Sequence, residues 1–252
     1  EYVDGLTYSE TDEGYIVTGY TADLPEELII VPRHRGKRVV AIADNAFASC
    51  ERLTSVEIIS AGIVRIGKCA FAGCTSLARV DFGNSVELIG DDSFRGCTLL
   101  RSVKIPNSVT GIGQRAFAEC TRFTEIEIPD AVTEIGAQAF QNCTGLKYMT
   151  VGSGVTSLEA SFIEGCESLV SLVIGSGFTR IEKDFLNLSD FKKLVRIDLP
   201  SGVTSIDAFA FSGCTGLKNV KLSDGLLSIA ASAFENCTGL KGIEIPNSVT
   251  SL

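Results

Sequence analysis

The sequence predicts an α/β repeat solenoid: a curved, right-handed coil lined by a parallel β-sheet with short helical or 3-10 turns. It comprises nine repeats of about 23 residues behind an N-terminal β cap. Two ladders of residues carry this prediction. Phe47, Phe71, Phe94, Phe117, Phe140, Phe162, Phe185, Phe211 and Phe234 recur at spacings of 24, 23, 23, 23, 22, 23, 26 and 23. Cys50, Cys74, Cys97, Cys120, Cys143, Cys166, Cys214 and Cys237 track them. A third observation is the frame they share, x-I-G-x-x-A-F-x-x-C-T-x-L-x-x-V-x-I-P-x-S-V-T, clear in Gly111 to Thr133 and again in Ser228 to Thr250. We number the coils one to nine by their ladder phenylalanine.

Each part of the frame has a physical reading. The L-x-x-V-x-I segment (Leu100, Val103 and Ile105 in coil three) ends in period-2 alternation, a strand signal. Pro106, Pro129, Pro200 and Pro246 follow such segments and cannot donate to a ladder, so they close the strand. A turn, N-S-V-T, comes next. Val109 and Ile112 then return to the core, and Gly113 permits a tight bend. A-F-x-x-C is too short for a stable helix and reads as one helical or 3-10 turn. One repeat cannot bury its apolar columns alone, but neighbours stacked about 4.8 Å apart can. The nine L-x-x-V-x-I segments are expected to form one continuous sheet.

The frame resembles the BspA-like (Treponema-type) leucine-rich repeat, through residues such as Ile66-Gly67, Ala70-Phe71, Cys74-Thr75, Leu77 and Val80, and Pro246-Asn247-Ser248-Val249-Thr250. The resemblance covers about Val39 to Leu252. It implies a leucine-rich-repeat solenoid at 41–252 behind a cap at 1–40. In the cap, Tyr15 to Tyr20 alternates as a strand, and Leu28 to Pro32 and Arg38 to Ile42 lead into the first coil. It also implies an extracellular or cell-surface domain that adheres to host or matrix proteins.

Two repeats depart from the frame. Ile-Gly becomes Leu158-Glu159 in coil six and Ile181-Glu182 in coil seven. Ala-Phe becomes Ser161-Phe162 and Asp184-Phe185. Coil seven lacks the cysteine and gains three residues before Leu194. We read these as loop drift, with a contact bulge as the alternative. The frame stops at Ser251-Leu252, early in a tenth coil, with no polar cap. Further coils or a capping domain are therefore expected, or order that stops there.

The chemical inventory is thin. The chain has 252 residues and a net charge of -9, which argues against nucleic-acid partners and anionic membrane surfaces. No apolar run reaches the roughly 18 residues of a membrane helix. Glu1 is not an initiator Met, so a missing targeting segment carries no information. His34 is the only histidine, so any His zinc site or Ser-His-Asp triad would have to use it. No phosphate-cradling glycine motif occurs. These counts point away from an enzyme, a cofactor or a bound metal. The ladder cysteines read as buried, reduced small hydrophobes rather than a disulfide framework, with Cys69 the more exposed thiol. The basic run Arg33 to Arg38 reads as a solvated turn, with a polyanion site as the alternative, and His34 within it as exposed. The sequons at Asn142, Asn187 and Asn236 read as coincidence, two of them arising from the repeat itself.

The remaining candidate is a surface. Side chains flanking the central strand column should face the concave side. Most are charged, but Tyr148, Thr150, Ser171 and Val173 make a less polar centre. A charged rim around such a centre suits a modest interface with a protein partner. Two readings stand: a non-catalytic recognition or adhesion domain, or a rigid spacer within a longer surface protein that binds elsewhere.

Overall fold

The computed structural model describes residues 5–59, 62–158, 160–183, 185, 186 and 191–252. Two parallel strand ladders run along the solenoid. The front ladder comes from the L-x-x-V-x-I segments. It pairs Glu27–Ile30, Ser55–Ile58 and Arg79–Asp81, then Glu125–Ile128, Tyr148–Val151, Ser171–Ile174, Arg196–Asp198 and Asn219–Lys221. The register is strict, with Tyr148 opposite Ser171 and Thr150 opposite Val173. Burial alternates along each strand, because successive side chains point to opposite faces.

The expected single continuous sheet is corrected at two coils: in coil nine residues 242–245 form no strand beyond Asn219–Lys221, and coil three is nearly unpaired. In coil three, residues 102–105 keep only an isolated bridge from Asp81 to Lys104 and form no ladder with Glu125–Ile128. Val103 and Ile105 are still buried, so coil three loses backbone pairing and keeps its core. Phe82 and Phe123 stand where the frame has Ile and Leu, on the coils to either side, and both are fully buried. Two oversized rings thus flank the coil whose backbone pairing is lost.

The second ladder was not anticipated as strand. It is built from the Ile-Gly column: Lys37–Ile42, Arg65–Ile66, Leu88–Ile89, Gly111–Ile112 and Glu134–Ile135, then Arg180–Ile181, Ser205–Ile206 and Ser228–Ile229. Two-residue strands carry too little periodicity to be read from sequence. The frame's glycine has a different role from the expected bend. A Cβ on Gly113 would lie 2.5 Å from the Asp91 nitrogen, and one on Gly136 2.4 Å from the Gln114 nitrogen. Glycine is needed there because the preceding coil's backbone passes too close for any side chain.

The A-F-x-x-C segment is a compact turn, as expected, but among the described residues it is a 3-10 helix only in coil six, at Ala160–Ile163. Elsewhere each turn holds two left-handed residues four apart: Asn45 and Ser49, Cys69 and Gly73, Arg115 and Glu119, Gln138 and Asn142. Every second amide of the turn faces the next coil, as Asn45, Phe47 and Ser49 do. Phe71 donates to the Ser93 carbonyl at 2.7 Å and Phe117 to Ala139 at 2.8 Å. A third ladder thus holds the turns together and satisfies backbone groups that burial would otherwise strand.

The core is one continuous cluster from Tyr15 to Cys237. Phe47, Phe71, Phe94, Phe117 and Phe140 stack face to face at 5.0–5.5 Å. Past coil six the geometry changes: Phe162–Phe185 is tilted and Phe185–Phe211 is edge-on. All nine cysteines are free, and the eight of the ladder are buried. They do more than fill space. Cys97 Sγ donates to the Phe71 carbonyl at 3.2 Å, and Cys143 Sγ to Phe117 at 3.1 Å.

At the N-terminal end, Leu6–Glu10 pairs antiparallel with Tyr15–Tyr20, which runs parallel to Lys37–Ile42 and covers the first rear strand. The basic run is a hairpin, Arg33–His34 against Lys37–Ile42, turning through Arg35 and Gly36 at positive φ. His34 is corrected: it is half-buried and stacks on Tyr8 at 3.9 Å. Burial there holds its pKa below the ordinary value. Of the departures read from sequence, Glu159, Asp184 and the sequon at Asn187 lie outside the described residues.

Candidate functional site

The front ladder presents two outward columns. In coils five and six these are Tyr148 and Thr150, Ser171 and Val173, brought side by side by the strand register. Tyr148 is 51% exposed and Val173 46%, and Met149 and Leu172 beneath them are fully buried. Ser171 is half-buried and Thr150 exposed. The four candidates therefore form one contiguous patch on a rigid support.

Its surroundings are polar and unequal. Toward coil seven, Arg196 closes onto Asp198 at 2.8 Å within one strand, and that carboxylate holds the guanidinium charge more firmly. Toward coil four, Glu125 and Glu127 both face outward and, among the described residues, join no ion pair. Because coil three is unpaired, a cleft of about 450 Å³ opens beside the patch, walled by Lys104, Glu125, Glu127, Tyr148 and Thr150. Sequence reasoning found the patch and missed the cleft, which depends on the lost pairing of residues 102–105.

The charged groups stand in separate outward columns, and the buried cysteine thiols are used as hydrogen-bond donors. Burial pushes Cys74 and Cys214 up to about 12, so they are poor nucleophiles near neutrality. Among the described residues no three His, Cys, Asp or Glu groups converge as metal ligands, and no helix is long and apolar enough to cross a membrane.

Stacked coils, a parallel front ladder and a ladder-forming Phe–Cys turn define a repeat-solenoid protein of the leucine-rich class. The chain belongs to the BspA-type leucine-rich repeat family, whose profile matches residues 65–192 and 188–252 in six copies. A leucine-rich repeat protein from Bacteroides ovatus is similar in fold, with 24% identity and a TM-score of 0.61, over 100% of this chain and 90% of that one. A leucine-rich repeat protein from Treponema pallidum shares 24% identity at a TM-score of 0.54, over 93% of this chain and 87% of that one. No curated protein matches the chain.

Proposed function

We infer that the chain is a non-catalytic recognition domain, extracellular or on a cell surface, that adheres to a protein partner through its front sheet face. The observation that carries this reading is the pairing of Tyr148 and Val173 on adjacent strands, each about half exposed, in a face where Ile29, beside the cap, is the other exposed large apolar side chain of the described strands. Strands are rigid supports, so little ordering cost attaches to binding on them. An aromatic in a less polar centre is a common anchor, and the charged rim supplies steering and register.

The test is direct binding of the purified chain to a panel of host-surface and matrix proteins by biolayer interferometry. For a true partner, Tyr148→Ala should weaken binding by about 2 kcal/mol or more while the melting temperature stays nearly unchanged. A partner bound equally well after Tyr148→Ala and Val173→Asp together would move the site elsewhere. It would favour the second reading, a rigid spacer, which the unbroken core from Tyr15 to Cys237 supports.

A further inference from the structure

We propose that the rear ladder near the cap carries a second, separate docking groove for a short partner segment in which apolar side chains alternate with lysine or arginine. The argument starts from the chain's departures from its own frame. Just before the rear strand the frame places threonine: Thr110, Thr133, Thr156, Thr179, Thr204 and Thr250. Threonine therefore suffices for the fold. Toward the cap the same column instead reads Val40, Val64 and Glu87, and Leu227 departs from it singly near the other end. The next column reads Arg65, Leu88, Gly111 and Glu134 in strict register, and Leu88 alone of these is a large apolar side chain. Leu88 is 47% exposed and Val64 37%, so neither is there to fill the core.

These residues share one concave feature. Ile16, Val40, Val64 and Leu88 line a groove of about 520 Å³ together with Asp12, Glu13, Glu87 and Arg65. A second depression of about 340 Å³ shares Arg65 and Leu88 and continues over Gly67, Gly90 and Gly113. The glycines deepen it, since they have no side chains to fill it. Gly111 extends it past Leu88, because a Cβ there would lie 3.1 Å from the Leu88 side chain. The floor is thus apolar, then backbone, over four inter-strand steps from Tyr15–Tyr20 to Gly111–Ile112. That is about 19 Å, the reach of roughly six extended residues.

Charge selects the occupant. Asp12, Glu13 and Glu87 rim the groove, and Asp44, Asp91 and Glu134 the depression, against Arg65 and Lys68. Asp12, Glu13, Glu87 and Glu134 join no ion pair among the described residues. An acidic rim over an apolar floor is complementary to a cationic, apolar segment. It repels an anionic membrane or nucleic acid, and a second copy of this chain, at a net charge of -9, is a poor match.

The test uses three labelled octapeptides: alternating lysine and leucine, the same with glutamate for lysine, and the same with serine for leucine. Affinities are read by fluorescence anisotropy at low and high salt. The lysine–leucine peptide should bind at least tenfold more tightly than either of the others, and more weakly in high salt. Leu88→Ser and Glu87→Lys, both surface changes, should each weaken it fivefold or more, and Tyr148→Ala should leave it unchanged. Equal binding of the three peptides overturns the proposal. So does affinity that holds within twofold in both Leu88→Ser and Glu87→Lys. A loss confined to Tyr148→Ala would place the peptide on the front face and also overturn it.

Discussion

Coil three and coil six each lose one strand ladder, and they lose different ones. Coil three drops out of the front ladder at 102–105 while its rear strand, Leu88–Ile89, pairs on both sides. Coil six has no rear strand between Glu134–Ile135 and Arg180–Ile181, and its front strand, Ser171–Ile174, pairs on both sides. The causes differ too. In coil six the left-handed turn that follows the rear column gives way to a 3-10 turn. In coil three the L-x-x-V-x-I segment itself is intact, and we attribute its misfit to the large rings buried on the adjacent coils. The comparison teaches that one strand ladder, together with the turn ladder, keeps the coils in register, so drift on one face leaves the other face undisturbed.

The largest expected effect separates the thiol-laddered coils from coil seven, which has no ladder cysteine. Burial raises Cys74 from 9.0 to about 12, so the folded state holds its proton where the unfolded state loses it. That stabilisation is complete below pH 9 and is lost as pH rises toward 12, by about 4 kcal/mol for a full three-unit shift. Hydrogen exchange across this range should show coils two to five losing protection more steeply than coil seven. A uniform loss would mean the thiols are not buried as described.

Next, Phe117→Ala removes a ring stacked on both neighbours and should cost about 3–5 kcal/mol in denaturant unfolding, with Phe162→Ala, in the tilted region, costing less. Gly113→Ala should cost about 1–3 kcal/mol through the clash with the Asp91 backbone. Gly242→Ala meets nothing within 4 Å and should be nearly silent. A smaller, local change is expected from Phe82→Ile. It should raise amide protection at Val103 and Ile105 several-fold by letting coil three rejoin the front ladder. Unchanged protection would remove the ring-size account. Lys192→Ala, on the exposed surface of coil seven, should cost under about 0.5 kcal/mol.

The solenoid, its core columns and the front face were legible because each recurs with a fixed period. Phe, Cys and the V-x-I alternation place themselves once the repeat is seen. The rear strands were not legible, since two residues leave no alternation to read. Nor was the left-handed turn, because Asn, Cys, Arg, Gln and Ser all occupy its positive-φ positions and no single residue type marks it. The thiol donors were read as hydrophobes for a similar reason: burial is visible in a column of cysteines, but the carbonyl it faces belongs to another coil. On the candidate patch, the sequence located Tyr148, Thr150, Ser171 and Val173 side by side. The cleft next to them arises from misfit between coils, which no single repeat encodes.

The offset between the front and rear interruptions has a mechanical consequence. A stack of coils folds over sideways only where the joints on opposite faces open at one level. Here, among the described coils, the front seam opens at the third course and again at the ninth, and the rear seam at the sixth, like staggered joints in a masonry wall. No cross-section between them has both seams open. A lateral load on the Tyr148 patch would therefore meet at least one closed seam at every level it crosses. The domain should behave under shear or tension as a single beam.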